Sequence, residues 1–236
     1  MAEKTGLRHI GIIMDGNGRW AERQGLIRTK GHLEGLKAAK RIVKAAADRG
    51  IAYLTLYVFS TENWKRTVSE VNFIMGLVKQ YLKAELDFYR ENHIRIRHTG
   101  DMEGLPPDIV KDLREAMADT GDFEGLQVVL ALNYGGRDEI GRALTRLVKA
   151  GGEKLAAEKF GAEDLRPFLD NPDIPDPDLI IRTGGEWRIS NFLLWEAAYS
   201  EFYVSSKLWP DWTPEDLDEA IENFQGRQRR FGGVKA

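Results

Sequence analysis

No cysteine occurs in the 236 residues. That excludes disulfides, thiolate metal sites and cysteine nucleophiles. An excess of positive charge is missing too. The formal net charge is −3, which argues against a general nucleic-acid binder but leaves room for a local basic pocket around an anionic ligand. No apolar stretch approaches the roughly 20 residues that span a bilayer. No signal-peptide pattern follows the polar start MAEKTGLRH, so the chain reads as soluble and cytoplasmic. Internal repeats and low-complexity segments are absent as well.

What is present is an alternation. Strand-like runs stand at His9–Met14, Ala52–Phe59, Ile94–His98, Leu126–Leu132 and Leu179–Ile181, with a further candidate at Phe202–Ser205. Four of the first five are apolar nearly throughout, as expected of strands covered on both faces of a parallel sheet. Helical patterns fill the intervals at 33–49, 68–92, 107–119, 137–150 and 189–198, and a last one lies near 214–229. Strand–helix alternation implies right-handed βαβ units and an α/β fold with helices flanking a mainly parallel sheet. A length of 236 residues suits one such domain. DNPDIPDPD (170–178) reads as a solvated connector, because its prolines and spacing do not suit a calcium loop.

Ligands of open parallel sheets bind beyond the carboxyl ends of the strands. Here those ends are polar or glycine-rich: Asp15-Gly16-Asn17-Gly18-Arg19, Ser60-Thr61-Glu62-Asn63-Trp64, Asn133-Tyr134-Gly135-Gly136 and Arg182-Thr183-Gly184-Gly185. Gly16-x-Gly18-x-x-Ala21 formally fits a dinucleotide fingerprint. Asp15, however, would repel a pyrophosphate brought to that backbone, and Arg19 and Trp20 crowd the turn. No Gly-Lys-Ser/Thr follows, so it is no P-loop. A divalent cation between Asp15 and phosphate oxygens removes the conflict, since magnesium is commonly held by one or two carboxylates plus substrate phosphates. The plain alternative is a tight turn with a solvated aspartate.

In FSTENWKR (59–66), Ser60, Glu62 and Asn63 offer hydrogen bonds, Trp64 an apolar face and Arg66 a bidentate phosphate donor. Thr67-Val68-Ser69-Glu70 is a capping box that gives Glu70 a structural explanation beside any functional one. RTGGEWRIS (182–190) sets Arg182 and Arg188 around a Gly-Gly turn with Ser190 close behind, a second candidate diphosphate site. His32 precedes a helix and reads equally as a cap or network residue. Along 68–92 one apolar face suits core packing. A second set, Phe73, Leu77 and Phe88 with Gly76 and Ala84, suits a channel for a long apolar tail or further packing.

HIGIIMDGNGRWA, KGHLEG, LTLYVFSTENWKR, ALNYGGRDEI and RTGGEWRISNFLLWEAAYSEFYV together resemble the cis-prenyltransferase family, in order and across nearly the whole chain. The resemblance implies one α/β domain over 1–236 with a hydrophobic tunnel, working as a homodimer. It implies magnesium-dependent addition of isopentenyl diphosphate to an allylic diphosphate, farnesyl diphosphate being the expected primer. The expected product is a long cis-polyprenyl diphosphate, undecaprenyl diphosphate, the lipid carrier of cell-wall synthesis, and its release implies peripheral contact at the inner face of the membrane. Carried over by position, Asp15 is the expected catalytic and magnesium-binding aspartate, and Asn63 the expected catalytic amide. Gly16, Asn17, Gly18, Arg19, Arg28 and Arg66 are the expected allylic diphosphate cradle. Trp20, His32, Ser60, Thr61, Glu62 and Trp64 are expected substrate contacts. Arg182, Arg188, Ile189 and Ser190 form the expected isopentenyl diphosphate site, and Glu201 is an expected second metal-linked carboxylate. Arg230-Phe231-Gly232 matches a C-terminal Arg-x-Gly that reaches a partner's site. The chain has no Asp-Asp pair, so the aspartate-rich motif of trans-prenyltransferases is missing. Val58 stands where alanine is expected, Trp187 where a polar residue is usual, and Thr67 where proline is common. Two rival classes are a nucleotide-dependent enzyme and a catalytically silent partner subunit, which would be expected to lose the aspartate and arginines kept here.

Overall fold

Residues 6–151 and 161–227 are described by a computed structural model. Six strands form one wholly parallel sheet: β1 (His9–Ile13), β2 (Tyr53–Ser60), β3 (Arg95–Thr99), β4 (Gln127–Tyr134), β5 (Leu179–Arg182) and β6 (Glu201–Val204). Their order is β3-β4-β2-β1-β5-β6. The chain leaves β1 toward β2 and later returns to β1's other side as β5. The carboxyl ends of β1, β2 and β5 therefore meet where the strand order reverses, the place such sheets reserve for ligands.

The helices are α1 (Asn17–Arg23), α2 (Arg28–Asp48), α3 (Val68–Ala84), α4 (Leu86–Glu91), α5 (Pro107–Asp119), α6 (Gly136–Gly151), α7 (Ala162–Leu165) and α8 (Pro214–Gln225). The main core lies between one sheet face and α2, α3, α5 and α8, where Ile10, Ile12, Leu54, Ile42 and Leu217 are fully or almost fully buried. Burying each such side chain contributes roughly 1.5–3 kcal/mol relative to exposure. On the other face Phe192 and Leu193 pack on Ile13, Ala131 and Ile180.

Several expected elements differ. The segment 189–198 is not an α-helix. Ser190, Asn191 and Leu193 take φ of 51°, 63° and 44°, and only Glu196–Tyr199 forms a short 3₁₀ turn. Left-handed residues cannot continue a right-handed helix, and the helix-like spacing of Phe192 and Leu193 comes from a turn plugging the sheet face. The expected helix 68–92 is two helices, broken at Glu85 with φ −104° and ψ 5°. A helix not foreseen, α1, opens in the glycine turn itself: Gly16, at φ 113°, is its N-cap, and the Trp20 N–H donates to Gly16 O at 2.8 Å. Only glycine adopts that φ readily. The expected edge strand at 202–205 is β6, parallel to β5. The Arg230–Gly232 tail lies outside the described residues.

Candidate active site

Asp15 follows β1, and its carboxylate is gripped from two sides. Arg182 Nη2 lies 2.8 Å from Oδ2 and Arg19 Nη2 lies 3.1 Å from Oδ1. Burial pushes this carboxyl's pKa up, but the Arg182 and Arg19 guanidinium groups outweigh it and hold it below the usual carboxylate value. Arg182, at the end of β5, also donates through Nη1 to Arg188 O (2.6 Å) and Ser190 Oγ (2.7 Å). Its Nε is buried and has no hydrogen-bond partner among the described residues, an orphaned donor suited to an anion.

The same cleft, about 670 Å³, collects most of the expected residues. Asp15, Gly16, Asn17, Gly18, Arg19 and Arg28 come from the β1–α2 segment, with His32 behind them on α2. Ser60, Glu62, Asn63 and Arg66 come from the turn after β2, and Arg182, Arg188 and Ser190 from β5 and its following turn. Five arginines face two carboxylates, Asp15 and Glu62, so the lining favours a multiply charged anion. At rest the arginines pair with protein carboxylates: Arg28 with Glu22 at 2.8 Å, Arg66 with Glu70 at 2.9 Å, and Arg188 with Glu186 at 2.5 Å. His32 Nε2 stands 3.5 Å from Glu70, outside good hydrogen-bond range. Burial, then nearby Arg66, lower its pKa, while Glu70 acts in the other direction. The capping box is half made: Thr67 Oγ1 receives the Glu70 N–H at 3.4 Å, while the Glu70 carboxylate turns to Arg66 and His32. Asn63 Oδ1 accepts the Ser60 N–H at 3.1 Å.

Five expected residues are not among the cleft lining. Trp20 points its indole N–H at Asp211 Oδ1 (2.6 Å). Trp64 packs edge-on against Phe59 and donates to Asn133 Oδ1 at 2.7 Å. Thr61 faces Gly135, and Ile189 packs on the Phe192 cluster. Glu201, the expected second metal-linked carboxylate, stands away from Asp15 within this chain. It opens β6 opposite Leu179, at the amino end of the sheet, and pairs with Arg227 at 2.7 Å. Asp15 lies beyond the carboxyl end two strands away, about 16 Å along the strands and about 10 Å across them. The sequence reading missed Tyr57 and Asn191, both in the lining. Tyr57, one pleat before Phe59, donates to Ser190 O at 3.2 Å and stacks on Phe192 at 4.6 Å. Nothing in a strand's apolar pattern marks it as a site residue.

Among the described residues no three His, Asp or Glu side chains cluster to hold a metal alone. Asp15, one of the two carboxylates of the cleft, could still hold magnesium, an ion that takes one or two carboxylates and fills its remaining positions with phosphate oxygens and water.

Beyond the cleft, a groove of about 460 Å³ between α2 and the α3–α4 pair is floored by Leu33, Leu36, Leu77, Tyr81, Ala84 and Phe88 and also lined by Lys37, Lys40, Arg41, Lys44, Gln80 and Glu85. It starts one residue past His32 and one helical turn past Ile74, both in the cleft lining. Leu77, Ala84 and Phe88 of the second apolar set of 68–92 border this groove, while Phe73 and Gly76 are not in its lining. Among the described residues no helix is long and apolar enough to cross a membrane.

Residues 13–232 match the family model described as "Putative undecaprenyl diphosphate synthase". An isoprenyl transferase of Treponema denticola is 54% identical over 228 residues, 97% of this chain and 98% of that protein. One from Thermotoga maritima is 47% identical over 96% of this chain and 97% of its own length. Among solved structures, lavandulyl diphosphate synthase from Lavandula x intermedia, in complex with dimethylallyl diphosphate, superposes with a TM-score of 0.92 at 30% identity, over 98% of this chain and 100% of its own. A "probable undecaprenyl diphosphate synthase" from Campylobacter jejuni gives 0.80 at 33%, over 96% and 99%. Identity near 50%, sustained from one end of such relatives to the other, leaves one conclusion: the chain belongs to the cis-prenyltransferase family of isoprenyl transferases.

Proposed function

We propose that this chain condenses isopentenyl diphosphate with an allylic diphosphate, farnesyl diphosphate being the primer, to build a long cis-polyprenyl diphosphate of the undecaprenyl class. The observation that carries the reading is the convergence of Arg19 and Arg182 on Asp15 in an arginine-rich cleft, with a groove that carries apolar side chains farther along α2 and α3. A diphosphate needs the first and a prenyl tail the second. A solved relative of this fold holds dimethylallyl diphosphate, an allylic diphosphate, which supports the substrate class.

In this reading the β1–α1 turn, Arg28 and Arg66 hold the allylic diphosphate, and Arg182, Arg188 and Ser190 hold isopentenyl diphosphate. The allylic C–O bond breaks, and its electron pair leaves with the diphosphate, whose growing charge meets arginine N–H groups. The double bond of isopentenyl diphosphate attacks the allylic carbon, and a proton then leaves the new chain. The Asn63 amide is a poor base, so it orients substrate while Asp15 or a diphosphate oxygen takes the proton. Asp15 with the diphosphate oxygens would hold magnesium, which supplies positive charge opposite the leaving group.

Exposed apolar residues on α6 (Leu144, Val148) and on the sheet edge (Phe202) support a homodimer, which sedimentation equilibrium would read as twice the chain mass. Exposed Ile27 and Val68, close in sequence to Arg28 and Arg66, support peripheral contact to a lipid surface, which for a cytoplasmic enzyme would be the inner face of the membrane. The direct test of the activity is incubation with labelled isopentenyl diphosphate and farnesyl diphosphate. Label in a butanol-extractable polyprenyl product is expected, and no incorporation would overturn the reading.

A further inference from the structure

The two halves of the cleft come from segments far apart in sequence, the turn after β2 and the turn after β5. Tyr57 reaches the second turn from within β2, through its hydroxyl to Ser190 O, and the Asn191 side chain joins the two turns themselves. Asn191 Nδ2 donates to Glu62 Oε1 at 2.8 Å, and Asn191 Oδ1 accepts the Arg137 backbone N–H at 2.9 Å. The amide orientation is fixed, because a backbone N–H can only donate and a carboxylate only accept. The Asn191 carbonyl also receives the Gly136 N–H at 2.7 Å, so the residue is anchored to the start of α6 by main chain and side chain together. Its φ of 63° is a conformation that asparagine tolerates better than most residues. The space is cut to this side chain: a Cβ built on Gly135 would lie 2.6 Å from Asn191 Nδ2 and 2.6 Å from Thr61 Oγ1.

We propose that Asn191 is the positioning residue that sets the two diphosphate subsites in register, clamping Glu62 of the allylic side to the Ser190 turn of the isopentenyl side. This rests on the function proposed above. Condensation needs the reacting carbons about 3–3.5 Å apart, and a misplacement of about 1 Å costs on the order of 10²-fold. Each diphosphate keeps its own arginines without the clamp. Loss of Asn191 therefore falls on kcat, with little change in either KM.

The test is a cycle of Asn191→Asp, Glu62→Gln and the double variant. Asn191→Asp can still accept the Arg137 N–H but sets a carboxylate against Glu62. In the double variant the amide introduced at position 62 can donate to the carboxylate introduced at position 191 and rebuild the clamp with reversed polarity. Asn191→Asp is expected to lower kcat at least about tenfold in the wild-type background and less than about threefold in the Glu62→Gln background. Equal losses in both backgrounds, or a loss seen only in KM, would overturn the proposal. Amide hydrogen exchange over residues 60–66 and 186–194, measured without substrate, judges the clamp separately. It should accelerate in both segments in Asn191→Asp and slow again in the double variant. Unchanged exchange over 60–66 would overturn the clamp even in an active enzyme. A wild-type protein that condenses nothing would instead overturn the functional reading, with the exchange data still deciding whether the clamp exists.

Discussion

The backbone carbonyl of Asp15 receives Thr183 Oγ1 at 2.7 Å and the Trp209 N–H at 3.0 Å. The turn is therefore tied to β5 and to the segment after β6 without help from the carboxylate. Asp15→Ala should keep the circular dichroism of the folded protein while lowering kcat about 10²–10³-fold, the usual cost of one preorganised electrostatic group. It should also weaken the magnesium dependence of turnover. A variant with near-normal kcat and an unchanged magnesium midpoint would make Asp15 a turn residue only. Asp15 and the arginines were legible in the sequence because charged residues interrupt apolar runs where strands end. That Trp20, Trp64 and Glu201 lie outside this cleft's lining was not legible, since where a side chain turns depends on partners such as Asp211, Asn133 and Arg227, which lie far away in sequence.

At the scale of elements, the function proposed above would have a prenyl tail meet β2 and the groove between α2 and α3. Val58 lines the cleft two residues before Ser60. One added methylene in an apolar pocket shifts discrimination by roughly 1–3 kcal/mol. Val58→Leu should therefore shorten the product distribution on reversed-phase thin-layer chromatography, and identical chain lengths would free Val58 of that role. The ends of β1 are fastened differently. His9 is buried, its Nδ1–H donates to Pro175 O at 2.6 Å, and its Nε2 accepts the Thr55 hydroxyl at 2.8 Å. The neutral ring makes both bonds, and burial lowers its pKa from 6.5 to about 4. The unfolded chain takes up a proton below pH 6.5 that the folded chain refuses until about pH 4. Stability from this group is thus complete above about pH 6.5 and lost as pH falls, by about 3 kcal/mol at most. Urea unfolding of wild type and His9→Gln should show the difference between them rising from about pH 4 to about pH 6.5, and a flat difference would contradict it. The turn at 189–198 shows where element reading fails. A hydrophobic period records which residues are buried, and Phe192 and Leu193 are buried by a left-handed turn as fully as by a helix.

For the whole molecule, the parallel sheet was readable because strands buried on both faces are apolar throughout, a signal carried by each segment alone. Strand order carries no such signal, and it decides that β1, β2 and β5 share a rim while Glu201 stands at the opposite end. It also lets Asn191 reach Glu62, a contact across 129 positions of sequence. On the function proposed above, this rim builds cis-polyprenyl chains. The most direct measurement of this is the double-bond geometry and length of the product made from farnesyl diphosphate and excess isopentenyl diphosphate. After dephosphorylation, nuclear magnetic resonance should show every newly added unit as cis, and mass spectrometry should show a chain several units longer than farnesol. A product with trans additions, or a single condensation without elongation, would contradict the account.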